Sequence, residues 1–139
     1  MSFGSSYGVV SSQEMKRLVA NARKSPLRRS RIILHDDHTV PVQAMIICLL
    51  RGSKVGLHKH PPGKPEYYLI IEGTLRITVK ESDKNKFFLI SNESGKEKFF
   101  YTKGSIWHEP EAITEYATYF EVYQGPFLKQ DDVIYFAGE

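Results

Sequence analysis

The sequence contains a single cysteine, Cys48, which excludes a framework of disulfide bonds within the chain. No apolar run approaches the roughly 18 residues of a membrane helix, since the longest, residues 40–50, includes Pro41 and Gln43. Neither sign of charge dominates, because 19 Lys and Arg residues stand against 16 Asp and Glu residues. Zinc-finger spacing and aromatic-basic repeats are also absent. The sequence therefore predicts neither a membrane nor a nucleic-acid partner.

What remains is a chain of 139 residues that is 41% hydrophobic and 12% aromatic, which is typical of a folded globular protein. The N-terminus has no basic stretch followed by an apolar one, so we expect no signal peptide and a cytoplasmic location. Cys48 lies within an apolar stretch. A buried, unreactive thiol is therefore expected there.

One helix is predicted, near the N-terminus. Ser11 and Glu14 have the spacing of a capping box, and apolar residues follow at helical intervals up to Ala22. Pro26 should end the helix near Ser25. We therefore divide the chain into residues 1–27, an extension with an amphipathic helix, and residues 28–139, a barrel domain.

The rest of the chain has the character of short strands separated by turn residues. Eight strands are predicted, at residues 31–35, 42–50, 54–58, 66–72, 74–80, 87–91, 98–102 and 116–123. Within residues 74–80, apolar and polar side chains alternate, as in a sheet with one face in a core. This pattern predicts an all-β sandwich or closed barrel.

The strand at residues 42–50 differs from the others because both of its faces are largely apolar. Such a strand needs cover on both sides. The amphipathic helix supplies one candidate cover and a second subunit supplies another. On this ground, and because the edge strands of a barrel also need cover, we expect a homodimer.

Three histidines and one glutamate carry the chemistry. His58 and His60 stand at positions i and i+2, so on a strand both imidazoles point to the same side. Glu66 begins the next strand after a Pro- and Gly-rich turn, and His108 comes from a distant strand. Three imidazole nitrogens and one carboxylate suit Fe, Mn, Co, Ni or Zn as divalent ions, and are too rich in nitrogen for Ca or Mg.

The spacing of these residues resembles the first motif of the cupin superfamily. The positions that match that motif are Gly52, His58, His60, Glu66 and Gly73, although five residues separate His60 from Glu66. The Trp-His pair at residues 107–108 resembles the second cupin motif, which supplies a further histidine.

Further segments resemble the WbuC-type cupin metalloproteins, which are small bacterial proteins often associated with surface-polysaccharide gene clusters. The similar segments are residues 25–29, 34–35, 41–43, 58–61, 107–108 and 120–126. The resemblance implies a double-stranded β-helix, or jelly-roll barrel, that holds one divalent transition metal. Its implied ligands are His58, His60, Glu66 and His108.

The resemblance leaves the reaction open. The first hypothesis is a metal-dependent enzyme, an isomerase or an oxygenase, that acts on a small molecule such as a sugar or nucleotide-sugar. No acid or base beyond the ligands is unambiguous, and the weak candidates are Tyr68, Glu121 and His35. The alternatives are a non-catalytic, metal-containing sugar-binding or sensor module and a metal-free sugar epimerase-like cupin.

Overall fold

The computed structural model describes residues 5–137. Residues 1–4, the start of the N-terminus in which no signal peptide is expected, lie outside the described residues. The elements, in chain order, are α1 (Ser12–Lys24), β1 (Arg29–Ile33), β2 (Val42–Leu50), β3 (His58–Lys59), β4 (Glu66–Glu72), β5 (Thr74–Glu81), β6 (Lys84–Ser91), β7 (Phe99–Thr102), β8 (Trp107–Ala112), β9 (Tyr116–Gln124), α2 (Lys129–Asp132) and β10 (Ile134–Tyr135). Neither helix in residues 5–137 is long and apolar enough to cross a membrane.

The strands form two five-stranded antiparallel sheets. The first sheet has the order β1-β2-β9-β4-β7, and the second has the order β10-β3-β8-β5-β6. Side chains of both sheets meet in one core, in which Leu49, Tyr68 and Tyr119 of the first sheet join Leu75 and Ile77 of the second. The predicted all-β barrel with an N-terminal helix is therefore confirmed, with α2 as an additional single turn.

Helix α1 begins and packs as its sequence predicts. The Ser11 hydroxyl accepts a hydrogen bond from the main-chain N–H of Glu14, and the Glu14 carboxylate accepts one from the main-chain N–H of Ser11. Its buried side chains, including Leu18, lie against the outer face of the first sheet. There they cover Cys48 of β2, where burial raises the pKa of the thiol to about 12.

The two apolar faces of β2 are thus both covered within one chain. Ile46 and Cys48 lie under α1, while Leu49 faces the core between the sheets. Of the two covers considered for this strand, the helix is the one the structure contains. The argument that β2 needs a second subunit is removed.

The strand predicted at residues 54–58 is wrong except at its last residue. Gly56 has a φ of +95°, a left-handed conformation that interrupts extended backbone. Its main-chain N–H donates to the Glu109 carboxylate at 2.9 Å rather than to a neighbouring strand. The strand expected at His108 is β8, but it is missing from the eight predicted ranges because Pro110 and its polar neighbours are untypical of a buried strand.

Candidate metal centre

Two adjacent strands of the second sheet bring three histidines together. His58 opens β3 and pairs directly with His108 of β8. His60 follows two positions after His58, and its ring lies on the same side of the chain. One ring nitrogen of each histidine lies within 4.8 Å of the other two, and all three residues are buried. The structure therefore brings together the three histidines that the sequence singles out.

Main-chain carbonyls orient all three imidazoles. In His58 and His108, Nδ1 lies 2.8 Å from the carbonyl oxygen of the residue two positions earlier. Nδ1 of His60 lies 2.7 Å from the carbonyl oxygen of Asp132. A carbonyl oxygen only accepts hydrogen bonds, so Nδ1 carries the proton in each ring. Each neutral imidazole then presents the lone pair of Nε2, as metal-binding histidines do.

Glu66 extends this set with a carboxylate. Its Oε1 lies 2.8 Å from Nε2 of His108, and its Oε2 lies 3.0 Å from Nε2 of His60. The second approach lacks hydrogen-bond direction, which leaves Nε2 of His60 buried without a hydrogen-bond partner. Glu66 reaches these two histidines but lies outside the 4.8 Å group of all three.

The chemistry of these donors fits a bound cation. Three Nε2 lone pairs and a carboxylate are all acceptors, and acceptors that face one another in a buried site repel unless a proton or a metal ion lies between them. Nε2 of His60 is such an acceptor, since it is buried and has no hydrogen-bond partner. The residues present therefore fit a divalent metal with nitrogen-rich coordination.

The pKa values of the site depend on burial and on the contacts between its ionisable groups. Burial, with the facing His108, lowers the pKa of His58 to about 4. Burial also opposes charge on His60, but the Glu66 carboxylate outweighs it and raises the pKa of His60. Burial alone would raise the pKa of Glu66, yet its contacts with His108 and His60 lower it. Glu66 is therefore ionised and available as a ligand near neutral pH.

The long loop before Glu66 is held in place. A side chain at Gly104 would collide with a main-chain carbonyl of loop 61–65, so the absence of Cβ permits a close approach. Nζ of Lys64, within the loop, donates to Oδ1 of Asp132 at 2.6 Å. These contacts fix the loop so that the extra length does not carry Glu66 away from the histidines.

Asp132, at the end of α2, is a site residue that the sequence did not reveal. Its carboxylate accepts hydrogen bonds from Lys64 and from the Tyr123 hydroxyl, both at 2.6 Å, and from the main-chain N–H of Leu128 at 2.7 Å. Its carbonyl oxygen contacts His60. No motif marks Asp132, which lies in a stretch left without predicted structure.

Two of the three weak catalytic candidates face the site. Tyr68 is two positions after Glu66, on the same face of β4, and pairs with Glu121 of β9. Burial and the charge of Glu66 raise the pKa of Glu121 well above its usual range, and the charge of Arg31 opposes this shift. His35 is not part of the histidine cluster, and its Nδ1 instead lies 3.0 Å from the main chain of Ala44.

Thr102 is a further residue of the same face. It pairs in register with Glu66, and its hydroxyl is buried without a hydrogen-bond partner. A lone threonine at the end of a short strand gives no signal in the sequence.

Several solved structures are similar to this one. Oxalate decarboxylase from Bacillus subtilis has a TM-score of 0.56 at 20% identity, over 68% of this chain and 24% of that chain. A conserved protein of unknown function from Streptococcus pyogenes has a TM-score of 0.55 at 15% identity, over 75% of this chain and 80% of that chain. A protein from Shewanella oneidensis has a TM-score of 0.59 at 11% identity, over 73% of this chain and 65% of that chain. At these identities the likeness shows the fold, which is the cupin jelly-roll barrel.

This chain spans only about a quarter of the decarboxylase it resembles. One study of that enzyme describes Mn(II) centres in it. No curated protein matches the sequence. The sequence model of one family, a domain of unknown function (DUF6016), matches residues 10–87, from helix α1 to the middle of β6. That match covers more than half of the chain, and the chain therefore belongs to the DUF6016 family.

Proposed function

We propose that this chain is a small cupin metalloprotein that binds one divalent transition metal in its barrel. His58, His60 and His108 would hold the ion, with Glu66 as a fourth ligand. The observation that carries the proposal is the orientation of the three rings, in which main-chain carbonyls occupy every Nδ1 and leave the Nε2 atoms facing one another. A nitrogen-rich set of this kind favours Fe, Mn, Co, Ni or Zn.

The ligand of the barrel is proposed to be a small molecule such as a sugar or nucleotide-sugar, in surface-polysaccharide metabolism. The resemblance of residues 120–126 and other segments to the WbuC-type proteins supports this class. A divalent ion supplies Lewis acidity that polarises a carbonyl or hydroxyl group. The carboxyl group of Glu121 and the Tyr68 hydroxyl lie on the same face, where each can form a hydrogen bond with such a ligand.

The metal-free epimerase hypothesis receives less support. A histidine that acts as a base is commonly oriented by a carboxylate at its second nitrogen. Here the Glu66 carboxylate contacts Nε2 of His108 and of His60, but Nδ1 of each ring is already bonded to a main-chain carbonyl. Neither ring therefore combines a carboxylate at one nitrogen with a free second nitrogen. Turnover of a substrate would separate the enzyme from the non-catalytic binding module.

Elemental analysis tests the proposal directly. The full chain, purified without chelator and without affinity nickel, should contain about one transition metal ion per chain. The double variant His58→Ala/His60→Ala should contain less than about a tenth of that amount, because two of the four ligands are lost. The variant His38→Ala, which removes an exposed histidine outside the cluster, is the matched control and should keep its metal. Unchanged stoichiometry in the double variant would exclude this site.

A further inference from the structure

A large apolar surface lies where the two sheets end side by side. It combines the edge strand of each sheet, β6 and β7, with one residue of β4. Its half-exposed or exposed side chains are Tyr67, Phe87, Phe88, Leu89, Phe99 and Tyr101. We call this set the seam surface. Between β6 and β7 it contains a groove of about 450 Å³ whose only charged lining residue is Glu97.

The register of the strands explains why these side chains are exposed. Phe87 and Leu89 pair with Thr78 and Arg76, on the face of β5 that points away from the core. On β7, Tyr101 pairs with Tyr67, on the outer face of the first sheet. Six consecutive residues of β6 are exposed, and three of them are Phe87, Phe88 and Leu89. Such a run is unusual on a monomer.

We infer that the seam surface is the interface between two copies of this chain. At about 200 Å² for each side chain, the exposed fractions of the six members add up to roughly 700 Å². The largest apolar patch on a typical monomer is about 300–600 Å², and a stable interface takes about 800 Å² from each partner. The seam surface, together with the adjoining strand edge, therefore offers what a dimer needs.

The edge of β6 also matches a second copy of itself. Within the part of the chain that the structure describes, β6 pairs with β5 alone. On its other edge the N–H of Ser91 donates to the carbonyl of Glu97, and the residues before Ser91 have no strand partner among the described residues. Lys84 and Lys86 precede the apolar centre of the strand, and Glu93 follows its end. Lys86 is paired with Glu81 of the same chain at 3.4 Å, so a two-fold axis through the centre brings Lys84 of each strand towards Glu93 of the partner subunit. Two five-stranded sheets then become one continuous antiparallel sheet.

This interface borders the candidate metal centre. The ring of Phe100 lies 6.4 Å from that of Phe88 in the groove and 6.2 Å from that of His108, between ring centroids. A second copy on the seam surface would therefore cover the aromatic wall of the metal centre. The inference goes beyond the proposed function, because the interface does not depend on whether a metal binds.

Sedimentation of the full chain tests this inference. At concentrations up to about 100 µM, the wild-type protein should sediment as a dimer of the 15.9 kDa chain. Phe87→Glu should raise the dissociation constant by at least about 100-fold, because the dimer would bury a charged carboxylate where it now buries an aromatic ring. Within one chain, the new carboxylate lies near Arg76, whose Cζ is 5.3 Å from the Phe87 ring centroid, so the fold should survive.

The matched control is Val42→Lys, at an apolar residue that is 57% exposed, as against 58% for Phe87. It should remain dimeric, because Val42 lies at the start of β2, away from the seam surface. Phe99→Gln, on β7, provides a second variant if Phe87→Glu does not fold, and should also weaken the dimer. A wild-type monomer, a dimer that both seam variants leave intact, or assemblies that keep growing with concentration would each overturn the inference.

Discussion

At the scale of single residues, the backbone determines which ring nitrogen each histidine offers. His58 and His108 bind carbonyls only two positions away, so their orientation is local. His60 depends on Asp132, which lies 72 positions away in the sequence. The orientation of His58 and His108 is therefore determined by the segments that contain them. The distant contact explains why the sequence gives no indication of what holds His60.

The role of Glu66 is tested by removing its charge while keeping its shape. We expect Glu66→Gln to fold normally and to lower metal affinity by at least about 10-fold, because an amide is a weaker ligand than a carboxylate and leaves the ion less neutralised. Titration calorimetry of the metal-free protein measures the change. Glu97→Gln, at an exposed glutamate outside the site, is the control.

An unchanged affinity in Glu66→Gln would remove Glu66 from the ligand set. A metal-bound structure with the carboxylate more than about 3 Å from the ion would do the same, since such bonds are near 2.0–2.2 Å. The site would then consist of three histidines and water. That site would be more open to a substrate.

At the scale of elements, the strands of the first sheet were the easiest to predict. The bounds of β2 and β4 agree with the predicted ones because apolar residues are continuous between clear breakers. Short strands escaped prediction, since β3 and β10 have two residues each and owe their structure to pairing with each other. The four implied ligands follow from motif spacing. Asp132 and Thr102 do not, because long-range packing alone brings them to the site.

The C-terminal segment that contains α2 and β10, residues 129–135, lies across the site, and we call it the strap. Strand β10 pairs with β3, and Asp132 connects His60 to the loop that contains Lys64. Burial raises the pKa of the Asp132 carboxyl group, but hydrogen bonds from Lys64 and Tyr123 outweigh it, so the pKa is lowered and the group is ionised. The strap is therefore held to the barrel by a charged contact next to His60, a proposed metal ligand.

Asp132→Asn should weaken this strap without removing a ligand. We expect metal affinity to fall by about 10–100-fold, the usual range for residues that orient metal-binding histidines. The visible absorption spectrum of the Co(II)-loaded protein should also change, because the orientation of His60 changes. Asp131→Asn, at the exposed neighbouring aspartate, should alter neither property. An Asp132→Asn spectrum identical to wild type would mean that Asp132 stabilises the fold only.

At the scale of the whole molecule, one part of the apolar strand surface is covered within the chain and another part is exposed. Helix α1 covers the outside of the first sheet at Ile46 and Cys48, so the strand that suggested a dimer in the sequence is satisfied within one chain. The unsatisfied surface lies at the opposite edge of that sheet, on β7, and on β6 of the second sheet. The sequence alone does not show which apolar strand is covered by the helix and which strands stay exposed, because that depends on the tertiary fold.

Metal removal tests whether the site contributes to the stability of the whole fold. A metal bound only by the folded state stabilises it by about 4 kcal/mol when its free concentration is 1,000 times its dissociation constant. For a domain of this size that energy corresponds to roughly 10 °C or more in Tm. We therefore expect a chelator to lower Tm by about this amount in calorimetry, with protein concentration held constant. The double variant His58→Ala/His60→Ala should show no response to the chelator, because it has no ion to lose. If the wild-type Tm is also insensitive, although metal analysis shows that the chelator removed the ion, the unfolded chain binds the ion as tightly as the folded one, and the folded histidine cluster is not the site that holds it.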